Sequence, residues 1–144
     1  MKKNILVIQG PNLNLTGERE KGVYGTDTFD SINREIMECA ESLGLVCEIF
    51  QSNHEGAIID KIHEARLSCD GIIINPGAYT HYSYAIRDAI ASIRIPCIEV
   101  HISNIYAREE FRSKSVVAPV CAGHIAGFGK HGYFLALHGL VELL

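Results

Sequence analysis

Apolar positions in this chain alternate between two patterns: short unbroken runs, and stretches where they recur three or four residues apart. The runs Asn4 to Gln9, Leu45 to Phe50, Gly71 to Asn75, Ile98 to His101 and Val116 to Cys121 read as strands. Such continuous apolarity suits strands covered on both faces. Pro96 introduces the fourth run, and Pro119 places the fifth at a sheet edge. Between the runs, Ile32, Ile36, Ala40 and Leu43 share one helical stripe, as do Ile58, Ile62 and Ala65, and Ile86, Ala89, Ile90 and Ile93. Asp27 or Thr28 is placed to cap the first helix and Gly44 to stop it. Tyr133 to Leu144 predicts a closing helix, Asn104 to Lys114 a charged and partly helical segment, and Gly123 to Gly132 a glycine-rich connection.

Five alternations of strand and helix predict an α/β protein, a doubly wound, mostly parallel five-stranded sheet with right-handed crossovers. At this size the flavodoxin-like order 2-1-3-4-5 is the natural one. Its topological switch lies between the first and third strands, so the loops after Gln9 and Asn75 flank one crevice, with the loop after Val100 beside them. Residues 1–144 form a single domain without internal repeat or linker.

The formal net charge of −4 argues against a general nucleic-acid binder, which needs surplus cations on one face. Any anionic ligand must be met by locally placed arginines. Ile5 to Ile8 is too short for a signal-peptide core and the Tyr133 to Leu144 tail is too short to span a bilayer, so a cytoplasmic location is expected. The five cysteines are odd in number and scattered through apolar runs without a C-x-x-C pair, as small reduced hydrophobes would be.

Several residues carry candidate chemistry. Asn75, Thr80 and His81 follow the third strand and face the crevice with polar side chains. Glu99 and His101, two apart on a strand, point to the same face, and a carboxylate so placed holds an imidazole in one tautomer, as a general acid requires. A structural ion pair is the alternative. Thr16 to Thr28 is a long polar loop, with residues 17–26 expected to move as a lid, and it holds Arg19 and Tyr24. A guanidinium beside a phenol favours the phenolate and turns a poor base into a usable one. Arg108 and Arg112, four apart, would share a helical face as a fork for a carboxylate, unless Glu109 and Glu110 simply pair with them. No P-loop and no G-x-G-x-x-G is present, so nucleotide binding through standard loops is not expected. Two rival readings stay open: a metal site of His81, Glu99 and His101, and a non-catalytic module that binds a small hydroxy acid.

Five motifs recur together at matching spacing: Gly10-Pro11-Asn12-Leu13-Asn14-Leu15; Arg19 with Tyr24-Gly25; Gln51-Ser52-Asn53-His54-Glu55-Gly56; Asn75-Pro76-Gly77-Ala78-Tyr79-Thr80-His81; and Glu99-Val100-His101-Ile102-Ser103-Asn104 with Arg108 to Arg112. In these, and in Gly127-Phe128-Gly129 and His131-Gly132-Tyr133, the chain resembles the type II 3-dehydroquinate dehydratases. The resemblance implies conversion of 3-dehydroquinate to 3-dehydroshikimate by anti elimination through an enolate, with no metal or organic cofactor. It implies Tyr24 as the base, with Arg19 favouring its phenolate, Asn12 and a water supporting the enolate, and His101, oriented by Glu99, as the acid. Asn75, Gly77, His81, Arg112 and the backbone at Ile102 and Ser103 would hold substrate, and Asp88 would reach a neighbouring subunit's site in a dodecamer built from trimers. Lys21, Thr16 and Tyr106 depart from residues common in the family, proline, leucine and histidine respectively; none removes a catalytic group. A biosynthetic role in the shikimate pathway and a catabolic role from quinate both stay open.

Overall fold

In a computed structural model, which describes residues 1–18 and 27–144, the five strands are β1 (Asn4–Gln9), β2 (Val46–Gln51), β3 (Gly71–Asn75), β4 (Cys97–His101) and β5 (Gly123–Ala126). They form one parallel sheet in the order β2-β1-β3-β4-β5, so the flavodoxin-like expectation holds. The helices among the described residues are α1 (Phe29–Ser42), α2 (Glu55–Ser68), α3 (Tyr84–Ser92) and α4 (His131–Leu143).

β3 sits at the centre because both of its faces are apolar. Ile73 packs with Ile5, Val7, Ile98 and Val100 under α1 and α4, while Ile72 and Ile74 pack with Leu6 and Ile8 under α2 and α3. Each of these isoleucines is fully buried, and such burial contributes about 1.5–3 kcal/mol per side chain. Helix α1 begins where Thr28 and Ser31 cap one another: Ser31 N–H donates to Thr28 Oγ1 and Thr28 N–H to Ser31 Oγ, each at 3.0 Å. It ends at Gly44, whose φ of 73° lets Leu45 N–H turn back to the Ala40 carbonyl.

The last third of the chain departs from the sequence reading. Val116 to Cys121 is not a strand; Ala118–Val120 is a 3-10 turn, closed by Val120 and Cys121 N–H groups donating to Val117 and Ala118 carbonyls. Pro119 has no N–H for a ladder and stands in the first turn of this helix instead. Val116 and Val117 are apolar because they fill the core under α3. The fifth strand lies further on, within the stretch expected to be a connection, and runs beside β4 as a half-buried edge from Gly123 to Ala126. Asn104 to Lys114 holds two separate 3-10 turns, Ile105–Ala107 and Glu110–Ser113, so Arg108 and Arg112 do not share one helix.

The carboxyl ends of β1 and β3 meet through glycine. Gly10 N–H donates to the Asn75 carbonyl at 2.8 Å, and a Cβ on Gly10 would lie 2.7–2.9 Å from backbone atoms of Asn75 and Pro76. Gly77, at φ 58°, leaves only 3.2 Å between such a Cβ and the Pro11 carbonyl. Replacing Gly10 with alanine forces two backbones apart and is expected to cost about 1–3 kcal/mol, the usual range for overpacking, in denaturant unfolding. Gly56→Ala, whose Cβ meets nothing within 4 Å on a helix, leaves the unfolding midpoint unchanged or raises it.

Candidate active site

Three loops at the carboxyl end of the sheet enclose an open cavity. Asn12, Asn75, Gly77, His81, His101, Ile102, Ser103, Arg108 and Arg112 all line it. Eight of the expected site residues therefore converge, together with Arg108. No carboxylate is among these lining residues, and two guanidiniums are, so the cavity favours an anionic, hydroxylated ligand.

The floor is a polar network. Asn75 Nδ2 donates to Tyr133 Oη at 2.8 Å, Tyr133 donates to Gln9 Oε1 at 2.6 Å, and Gln9 Nε2 donates to Asn33 Oδ1 at 3.1 Å. Gly77 N–H donates to Asn75 Oδ1 at 3.1 Å, which fixes the amide's orientation from its other end. Asn12 occupies the left-handed region at φ 68°, uncommon outside glycine, and its N–H donates to Asn53 Oδ1 at 3.0 Å. Asn53 in turn accepts from Gln51 Nε2, and its carbonyl accepts from Tyr79 Oη. The loops after β1, β2 and β3 are thus tied together before any ligand arrives.

Under one wall lies the Glu99 carboxylate, fully buried. His101 Nε2–H and Thr80 Oγ1–H donate to its Oε2, and Ser115 Oγ–H donates to its Oε1 at 2.8 Å. Burial alone pushes the carboxyl up, yet the His101 hydrogen bond and charge, with the Thr80 and Ser115 donors, outweigh it and hold Glu99 below the ordinary value. The group is a carboxylate at neutral pH. With Nε2 engaged, the His101 ring presents Nδ1 to a ligand.

His81 donates from Nδ1 to the Lys114 carbonyl at 2.7 Å, and burial holds it below the ordinary histidine range. It is a neutral ring whose Nε2 accepts hydrogen bonds. Arg112 packs over the Phe111 ring at 4.8 Å and pairs with Glu109 at 3.1 Å, while Arg108 Nη1 donates to Ser103 Oγ at 3.4 Å. The two arginines reach the cavity from successive turns rather than as a helical fork.

Not every expected residue is gathered here. Arg19, Tyr24 and most of the lid at 17–26 lie outside the described residues. Asp88 stands exposed on α3 beside Arg87, away from the cavity of its own chain. The rival metal set is also changed: among the described residues the clustered ligand groups are Glu99, His101 and His124, with His81 turned to Lys114 instead. Ser115 and His124 escaped the sequence reading because both depend on where the chain runs after β4. A fifth strand begun at Gly123 would have set His124 level with Glu99.

Comparison with known proteins agrees with this geometry. The model of the family "Dehydroquinase class II" matches residues 3–141. A 3-dehydroquinate dehydratase of Caldicellulosiruptor bescii is 61% identical over 143 residues, covering 99% of each chain. The crystal structure of a type II dehydroquinase from Butyrivibrio crossotus superposes with a TM-score of 0.96 at 56% identity, covering 97% of this chain and 98% of that one. A type II dehydroquinase from Propionibacterium acnes gives 0.94 at 46% identity, over 99% of this chain and 98% of its own. On its full-length match, its sheet order and the residues at its crevice, this chain belongs to the class II dehydroquinase family.

Proposed function

We propose that this chain is a hydro-lyase that removes water from 3-dehydroquinate, giving 3-dehydroshikimate, in the shikimate pathway or in quinate breakdown. The observation that carries the reading is the buried Glu99–His101 pair beside a cavity that holds two arginines and no carboxylate among its described lining. Its support from kinship is the full-length match to the family.

Elimination next to a ketone needs a base for the α proton, a stabiliser for the enolate and an acid for the departing hydroxyl. Tyr24, as phenolate beside Arg19, takes the C2 proton. Asn12, with a bound water, supports the negative charge as it builds on the ketone oxygen. His101, held through Nε2 by Glu99, then protonates the leaving hydroxyl. Arg112 and the Ile102 and Ser103 backbone hold the substrate's carboxylate, Arg108 beside them keeps that end of the cavity positive, and Asn75, Gly77 and His81 hold its hydroxyl end. The neutral His81 serves as an acceptor there. No metal or organic cofactor has a step in this scheme. The protein works in the cytoplasm as a dodecamer built from trimers, in which the exposed Asp88 completes a neighbour's site.

Mixing chelated protein with 3-dehydroquinate should raise the ultraviolet absorbance of the enone product. Tyr24→Phe and His101→Ala should each lower kcat by about 10²–10⁴-fold, the usual worth of a positioned acid or base. A flat trace from folded parent protein would sink the reading. Sedimentation should show the dodecamer, with Asp88→Asn lowering kcat/KM while its unfolding midpoint stays put.

Glu99 also links activity to stability. Because its folded value is depressed, its stabilisation is present at neutral pH and is lost as acidity passes the ordinary carboxylate value, about 4.3, and then the lower folded one. Glu99→Gln should therefore be less stable than the parent at pH 7, and its stability should fall less steeply below about pH 4. Its kcat should drop at least about tenfold, since the amide cannot support a protonated His101 as the carboxylate does.

A further inference from the structure

His124 Nε2 is buried, has no hydrogen-bond partner among the described residues, and lies 3.7 Å from Glu99 Oε2. Its ring centre is 5.7 Å from that of His101. This proximity is a product of register: Glu99 and His124 are partners in the parallel β4–β5 ladder, so their side chains leave the same face of the sheet. Burial holds His124 below the ordinary histidine range, against the raising influence of Glu99, and at neutral pH the ring is uncharged. An uncharged imidazole has a lone pair to offer.

Glu99, His101 and His124 each present one ligand atom, and these atoms lie within 4.8 Å of one another. Two imidazoles and a carboxylate are a donor set that zinc takes readily. Thr80 and Ser115 already donate to the carboxylate, the outer hydrogen bonding that orients such a ligand toward a metal. His101 lines the cavity and Glu99 and His124 lie behind it, so the ligand atoms stand one ring away from solvent.

We propose that Glu99, His101 and His124 form an inhibitory site for zinc(II), which captures the acid of the reaction instead of assisting it. Three protein donors and one water complete a tetrahedron, and small rotations of the imidazoles accommodate donor–metal distances of about 2.0–2.2 Å. Zinc takes the place of the proton that His101 Nε2 donates to Glu99: in the imidazolium that proton leaves to solvent and the ring keeps its Nδ1 proton, and in the neutral ring the one proton moves from Nε2 to Nδ1. Either way the metal-bound ring holds a single proton, so the imidazolium that protonates a leaving hydroxyl cannot form. The inhibition rests on the proposed role of His101; the binding does not.

Metal-free protein titrated with zinc chloride in a calorimeter should take up one ion per chain at this site. Cobalt(II) in its place should give the visible absorption of a tetrahedral ion. Turnover of 3-dehydroquinate should be largely lost as the site fills and return with EDTA. In His124→Gln the zinc affinity and the sensitivity of turnover, each measured against that variant's own metal-free rate, should both fall at least about tenfold. His101→Asn should lose zinc similarly, and His131→Gln, outside the cluster, should behave as the parent. Unchanged affinity in folded His124→Gln overturns the site, and zinc bound through His124 with full turnover overturns the inhibition. A chain inactive without metal would instead defeat the proposed reaction, and the calorimetry would still decide the site.

Discussion

A fully buried carboxylate organises this end of the molecule. Taking the Glu99 charge out of water costs several kcal/mol unless donors surround it, and the donors come from three separate parts of the chain: Thr80 from the loop after β3, Ser115 from the segment before β5, and His101 from β4 itself. Satisfying one charge therefore sets the path of two loops. It also explains why polar side chains survive where the sheet is otherwise isoleucine and valine. His101 inherits its orientation from this arrangement, and the cavity inherits its wall.

The same end of the sheet is braced on its other side by close approach. Gly10 and Gly77 let the β1 and β3 loops touch backbone to backbone, and the chain of hydrogen bonds from Asn33 through Gln9 and Tyr133 to Asn75 ties α1, β1, α4 and β3. Residues that must meet a small ligand are thus held on rigid elements and short turns. Such preorganisation serves proton transfer, where small displacements of the acting groups are costly.

Much of this was legible in the sequence. The isoleucine run at β3, the helical stripes on α1, α2 and α3, and the alternation of the two predict the sheet order, and with it the crevice between the β1 and β3 loops. Glu99 and His101 share a face by strand period alone. The family motifs added which side chains would line the crevice, and Asn12, Asn75, Gly77, His81, Ile102, Ser103 and Arg112 are found there. The errors fell after β4. Val116 to Cys121 is as apolar as a strand, but its valines face a helix and Pro119 starts a turn. The real β5 is a half-buried edge strand of four residues with a glycine at its start, which carries almost no pattern to find.

By itself, the sequence determined the layering, the strand order and the placement of Glu99 and His101 on one face, because these follow from local periodicity and from spacing within one strand. Tertiary structure alone decided what surrounds that pair. His124, 25 residues beyond Glu99, reaches it only because an edge strand adds in one particular register, and Ser115, 16 residues beyond, reaches it from the segment before that strand, where Val116 N–H donates to the Thr80 carbonyl. Register across a ladder is set by packing over the whole sheet, and a one-residue shift would send His124 to the opposite face.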